Sequence, residues 1–196
     1  KLIIAGPCGA ESEDQLVDTA KQLAAGNHVS LLRAGVWKPR TRPGAFEGHG
    51  ENALRWLQTM RNETKLPFTV EVANADHVEL ALKYSADVLW IGARTSVNPF
   101  SIQEIADAMK GTDVPVLVKN PINADLQLWI GALERFNRSG IKKLGAIHRG
   151  FHTGISSQYR NQPKWEIPIA LKAACENLPV ICDPSHICGR RDILLA

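Results

Sequence analysis

No apolar run in the 196-residue chain exceeds about five residues, against the roughly 20 that a membrane-spanning helix requires. No segment therefore reads as a span, and a membrane partner is not expected. Lys and Arg form no stripe, and a net charge of +3 is too mild to argue for nucleic acid. Four cysteines (Cys8, Cys175, Cys182, Cys188) are too few for a disulfide framework at this length and fit a reducing, cytoplasmic setting. Lys1–Gly6 is too short for a signal peptide. Repeats, low-complexity stretches and linkers are missing as well, so a single domain over 1–196 is expected. At 44% hydrophobic and 22% charged residues the composition is that of an ordinary globular chain, which excludes disorder, collagen and coiled coil.

What is present is an alternation. Short Val-, Ile- and Leu-rich runs at 2–5, 29–33, 68–72, 88–91, 116–119, 144–148 and 180–182 are apolar at nearly every position, as parallel strands buried on both faces are. Helical patterns lie between them. Ser12, with Gln15 three residues on, caps a helix whose apolar face is Leu16, Ala20, Leu23 and Ala24 and which Gly26 ends. Asn98-Pro99 opens another that Gly111 closes. Asn123 and Gly140 bracket a third, carrying Leu126, Trp129, Ile130, Leu133 and Phe136. Residues 165–178, with Pro168 in the first turn, form a fourth. The five tryptophans are expected in the core, with Trp37 bordering a site.

A β-then-α unit of roughly 30 residues is the pitch of an eight-unit barrel of about 250 residues; an open doubly wound sheet is the competing architecture. Two features favour the barrel. No Gly-rich phosphate fingerprint follows the first strand, and polar residues follow nearly every strand. The expected fold is therefore α/β, a (β/α)8 TIM barrel with seven of eight units in this chain. The pattern stops at Asp192-Ile193-Leu194-Leu195-Ala196, about fifty residues short of a full barrel.

The strand ends carry Gly6-Pro7-Cys8; Arg33, Lys38, Arg40 and Thr41; Glu71; Gly92-Ala93-Arg94-Thr95; Lys119-Asn120-Pro121; His148-Arg149-Gly150; and Asp183-Pro184-Ser185-His186. On one barrel rim, Lys38, Arg40, Arg94, Lys119 and Arg149 would repel one another unless anions filled the mouth. Phosphate and carboxylate suit them, Arg offering a fork and Lys a point charge. Cys8 and His186 together suit a borderline or soft divalent ion, or else are a structural Cys and a hydrogen-bonding His. Cys175, Cys182 and Cys188 read as small core or loop residues. Glu71, on an apolar strand, either pairs with a cation or holds a catalytic water.

These six co-linear motifs (Gly-Pro-Cys at 6–8, Lys-Pro-Arg-Thr at 38–41, Gly-Ala-Arg-Thr at 92–95, Lys-Asn-Pro at 119–121, Arg-Gly at 149–150 and Asp-Pro-Ser-His at 183–186) strongly resemble the 3-deoxy-D-arabino-heptulosonate 7-phosphate (DAHP) synthases, in the short form related to 3-deoxy-D-manno-octulosonate 8-phosphate synthase. The octulosonate enzymes resemble the Lys-Pro-Arg-Thr stretch but carry an Ala-Asn-Arg-Ser type of sequence there.

The resemblance implies an aldol-type condensation of phosphoenolpyruvate with erythrose 4-phosphate, the first step of the shikimate pathway. Arg94, Lys119 and Arg149 would bind phosphoenolpyruvate. Arg33, Lys38, Pro39, Arg40 and Thr41 would bind erythrose 4-phosphate. Lys38, Glu71, Lys119 and His186 would be catalytic, Glu71 placing the water. Cys8 and His186 would ligate a divalent metal ion (Mn, Fe, Zn or Co), the remaining Glu and Asp ligands lying beyond the chain end. A homo-oligomer, dimer or tetramer, is implied, and an adjoining chorismate mutase or regulatory module is left open. His148 stands where well-known members have Glu, which would alter the charge near the phosphoenolpyruvate carboxylate. As it stands, the chain is expected to bind metal weakly and to show little or no activity. Octulosonate synthesis from arabinose 5-phosphate and a non-catalytic barrel fragment are the alternatives.

Overall fold

The computed structural model describes residues 2–40, 42–154 and 157–194, which fall into two compact units, Lys1–Trp90 and Ile91–Ala196. Among the described residues no helix is long and apolar enough to cross a membrane.

The first unit runs β1 (Ile4–Ala5), α1 (Glu13–Ala25), β2 (Leu31–Ala34), α2 (Glu51–Thr64), β3 (Phe68–Val72) and α3 (Ala75–Lys83) and closes on β4 (Val88–Ile91). α1 starts where its cap dictates: Ser12 Oγ accepts from the Gln15 N–H at 3.2 Å, satisfying one of the donors that a helix start leaves free. Leu16, Val17 and Ala20 then turn inward, and α1 packs beside α2, whose buried stripe is Ala53, Leu54, Leu57 and Met60. β1, β2 and β3 pair in parallel, Ile4 opposite Leu31 and Leu32 opposite Phe68. Phe68, Val70 and Val72 are fully buried, and each contributes roughly 1.5–3 kcal/mol by leaving water. Asp87 closes the opposite end of the pair: its Oδ2 accepts from the Phe68 N–H at 2.8 Å and pairs with Arg61, whose guanidinium lies over the Phe68 ring.

The second unit continues with α4 (Pro99–Ala108), β5 (Val116–Lys119), α5 (Leu126–Arg138), β6 (Leu144–His148), α6 (Glu166–Ala174), β7 (Val180–Cys182) and α7 (Pro184–Cys188). β5, β6 and β7 pair in parallel in chain order, Lys119 opposite Ile147 and His148 opposite Cys182. Trp129 is fully buried and its Nε1 donates to the Val118 carbonyl at 3.1 Å, so one residue fastens α5 to β5 by area and by a hydrogen bond.

Several expected boundaries shift. β1 begins at Ile4 rather than Leu2, which is largely exposed. β2 runs one residue past Arg33 to Ala34. α4 ends at Ala108, before Gly111. α5 starts after Asp125, not Asn123, because the Asp125 carboxylate accepts from the Leu128 N–H at 2.9 Å. α6 stops at Ala174 rather than Leu178, and the Lys172 ammonium serves the carbonyls of Glu176 and Leu178 beyond it. Trp165 departs from the expected core: as the residue before α6 it rests on the His148 ring and stays 52% exposed.

Candidate functional site

In the first unit the chemistry gathers where β1 and β2 end. Gly35 makes this possible. A Cβ there would lie 2.2 Å from the Cys8 carbonyl oxygen and 2.8 Å from Lys38 Nζ, so any side chain would push the two loops apart. Lys38 Nζ donates to the Cys8 carbonyl at 2.6 Å and to Cys8 Sγ at 3.2 Å. Partial burial pushes the Cys8 thiol up, but the Lys38 hydrogen bond and charge, joined by Arg33, outweigh it and hold the thiol below its ordinary value. The thiolate form is thereby favoured relative to an ordinary cysteine. Arg33 itself, on β2, lies 4.9 Å from the Trp90 ring centroid.

Beside this pair is a cleft of about 390 Å³, lined by Trp37, Lys38, Arg40, Glu47, Glu71 and His77 among others. Pro39 also lines it. Arg40 is steadied by Nε donating to the Phe46 carbonyl at 2.9 Å. Glu71, left open between an ion pair and a water, is engaged on one oxygen by the Trp90 indole N–H at 3.0 Å, an uncharged partner. Thr41 lies outside the described residues.

The second unit gathers the other cations. Lys119, at the end of β5, is buried and sits 3.4 Å from Asp183 Oδ2. Arg149, after β6, is held at both ends: its N–H donates to Asn120 Oδ1 at 2.7 Å and its Nη1 to Asn161 Oδ1 at 2.9 Å. Asn120 is itself fully buried and donates to the carbonyls of Pro121 (2.7 Å) and Gly150 (2.9 Å). Gly150 adopts φ +75°, and a Cβ would meet the Asn161 carbonyl oxygen at 2.7 Å, so the Arg149 turn closes on Asn161 only with glycine. Burial lowers the Arg149 pKa, the charges of Arg160 and Arg94 adding and that of Asp183 opposing. Arg149 thus senses Arg94, Arg160 and Asp183, and Asp183 also pairs with Lys119.

Asp183 caps α7 and meets His186: the Asp183 Oδ1 accepts from the His186 N–H at 3.2 Å, and Oδ2 lies 2.7 Å from His186 Nδ1. The ring approach is close but poorly aligned, so the pair is mainly electrostatic. Burial alone would raise the Asp183 carboxyl; His186 and Lys119 overcome it and hold the group far below the ordinary carboxylate range. A carboxylate beside Nδ1 favours the proton there and leaves the lone pair on Nε2, the tautomer that metal-ligating histidines use. Taken singly, a cysteine sulfur and a histidine ring are each donors of the kind a borderline divalent ion takes; no group of three or more His, Cys, Asp or Glu gathers for one among the described residues.

His148 is buried against Phe151 and Trp165. Burial lowers its pKa, so beside Arg149 it contributes a neutral ring rather than a charge near pH 7. The residues that sequence reasoning left without roles are Asp183, Asn120, Asn161 and His77. Asp183 and Asn120 stood inside quoted motifs at strand ends and were legible as such. Asn161, in an irregular loop, and His77, in a helix start, gave no signal.

Over residues 1–195 the chain matches the DAHP synthetase I family. It is 32% identical over 193 residues to a curated phospho-2-dehydro-3-deoxyheptonate aldolase of Thermotoga maritima, an alignment covering 98% of this chain and 55% of the relative. A crystal structure of phospho-2-dehydro-3-deoxyheptonate aldolase (DAHP synthase) from Thermotoga maritima superposes with a TM-score of 0.83 at 29% identity, covering 99% of this chain and 54% of that one. A truncated form of 3-deoxy-D-arabino-heptulosonate 7-phosphate synthase from the same organism gives 0.79 at 29% identity, covering 99% and 68%. The chain thus spans about 55% of the length of the curated relative it matches. These likenesses give the fold as the α/β TIM barrel that the sequence implied. By fold and by a match along nearly its whole length, the chain belongs to the DAHP synthetase I family.

Proposed function

We propose that this chain carries the substrate-binding and catalytic machinery of a 3-deoxy-7-phosphoheptulonate synthase, a transferase condensing phosphoenolpyruvate with erythrose 4-phosphate in the shikimate pathway. The observation that carries the reading is the gathering of cations near Asp183: Lys119 lies 3.4 Å from its Oδ2, and Arg149 feels its charge together with those of Arg160 and Arg94, a setting that suits a small polyanion.

In this reading Arg149, braced by Asn120 and Asn161, and Arg94 and Lys119 hold the phosphate and carboxylate of phosphoenolpyruvate. Arg40 and Lys38, with Pro39, Thr41 and Arg33, receive the phosphorylated aldehyde in the cleft of the first unit. C3 of phosphoenolpyruvate attacks the aldehyde carbon, and the carbonyl oxygen becomes a hydroxyl as it gains a proton. Water adds to C2, placed by the Glu71 oxygen that Trp90 leaves free, and inorganic phosphate departs with cleavage of the C2–O bond. Positioning and cations facing the developing charge supply most of the rate.

The family is generally metal-dependent. A bound divalent ion would supply Lewis-acid polarisation of the aldehyde, and Cys8 and His186 are the residues of this chain that would hold it. A cytoplasmic homo-oligomer is the setting that goes with the reading. The test is turnover of phosphoenolpyruvate with erythrose 4-phosphate and, separately, arabinose 5-phosphate, in the full-length protein carrying this chain. Phosphate release that favours erythrose 4-phosphate and is lost in Arg149→Ala is expected. Preference for arabinose 5-phosphate, or no turnover with either, overturns the reading.

A further inference from the structure

The loop joining β2 to α2, residues 35–50, carries Lys38 and Arg40, and its described residues form no helix or strand. Among the described residues it is tied within itself and to its surroundings, Lys38 reaching the Cys8 carbonyl and sulfur and His49 the Glu11 carbonyl. Lys38 N–H donates to the Glu47 carbonyl at 2.8 Å, Gly50 N–H to the Val36 carbonyl at 3.0 Å, and Arg40 to Phe46. The side chain just before Lys38 reaches outside the loop. The Trp37 ring stacks on the His77 imidazole of α3 with centroids 4.0 Å apart and planes 9° from parallel, while Gly50 lies against its Nε1 edge.

His77 is in turn fixed by its own helix start. Its N–H donates to the Asn74 cap at 2.9 Å, and its Nδ1 accepts from the Ala73 N–H at 3.3 Å. An Nδ1 that accepts a backbone N–H carries no proton, so the ring is the Nε2–H tautomer. Burial, which lowers the pKa against the charge of Asp76, keeps it so. A neutral imidazole stacks on indole without bringing a charge beside Lys38 and Arg40.

We infer that His77 is a positioning residue: through its stack on Trp37 it fixes the Lys38–Arg40 segment against the cleft that receives the phosphorylated aldehyde. The ligand assignment rests on the proposed function; the ordering of the loop does not. A stacked aromatic pair of this kind is worth a roughly three- to tenfold bias toward the closed loop.

The test uses two readouts on the full-length protein. Trypsin cuts after Arg40 alone in this loop, because Lys38 and Arg42 are each followed by proline. In His77→Ala, cleavage after Arg40 accelerates about three- to tenfold and the KM for erythrose 4-phosphate rises by a similar factor, with kcat and the KM for phosphoenolpyruvate changed less. His77→Phe, which keeps the stacked face and loses the Nδ1 acceptor, restores both. If cleavage responds as described but no variant turns over erythrose 4-phosphate, the positioning role stands and the proposed function fails. If the protein is active and His77→Ala leaves cleavage and the aldehyde KM unchanged, or if His77→Phe behaves like His77→Ala, the inference is overturned.

Discussion

Asn120 is the residue whose removal tests the second-unit cluster most directly. It has no exposed surface and makes three hydrogen bonds, two donated to the carbonyls of Pro121 and Gly150 and one accepted from the Arg149 N–H. Asn120→Ala deletes all three and takes the partner from the Pro121 carbonyl and the Arg149 N–H, while the Gly150 carbonyl keeps Arg149 Nη1 at 3.4 Å. At about 1 kcal/mol net per bond, with some added penalty for unsatisfied buried groups, the loss is about 3–4 kcal/mol. Hydrogen exchange of the β5 and β6 amides reads it. An opening free energy lowered by about 3 kcal/mol speeds exchange roughly 100-fold. Asn137→Ala is the comparison: that residue is exposed and its side chain accepts from Lys142, and its loss stays within about 0.5 kcal/mol. Acceleration of less than about tenfold in Asn120→Ala would refute the account of Asn120 as the tie between the turns after β5 and β6.

Two further outcomes follow from the perturbed groups. Asp183 titrates lower in the folded chain than in the unfolded one, so its contribution is fully present above the ordinary carboxylate value of about 3.9 and fades as pH falls through that value toward the folded one. Urea midpoints of the second unit should therefore drop on acidification below about pH 4, and Asp183→Asn should flatten that slope; an unchanged slope contradicts the assignment. The Cys8 thiol is lowered by Lys38 whereas burial and the charge of Asp183 raise Cys182, so iodoacetamide at pH 7.5 should modify Cys8 faster than Cys182 in peptide mass spectrometry. Lys38→Met should erase most of that difference, and equal rates in the unaltered chain would remove the thiolate from the argument.

Much of the fold was legible because parallel strands buried on both faces are written as unbroken apolar runs. β3 through β7 fall on the expected residues. The runs misled where one end faces solvent, as at Leu2, since hydrophobicity alone does not register a missing neighbour. Helix starts were read correctly where a single cap competed, at Ser12 and Asn98, and missed where Asn123 and Asp125 both stood near the same start and the latter won by reaching the Leu128 N–H. The site was legible as residues at strand ends, because ionisable groups stand out against apolar strands. Its supports were not. Asn161 and His77 act through contacts 12 and 40 positions away in sequence, to Arg149 and Trp37, and nothing local marks either partner.

The close fit at Gly35 has a bearing on how this loop can be altered. Two ties set the approach of the β1 and β2 loops: backbone fit at residue 35 and the hydrogen bonds of the Lys38 ammonium to the Cys8 carbonyl and sulfur. They answer differently to mutation. Replacing Lys38 removes hydrogen bonds and leaves the backbone path open, whereas one added methyl at 35 meets both loops at once. Substitutions should therefore be purged at 35 for the sake of the backbone and at 8 and 38 for the sake of the chemistry. For anyone redesigning the pocket, a steric constraint and a chemical one lie within a few ångströms of each other.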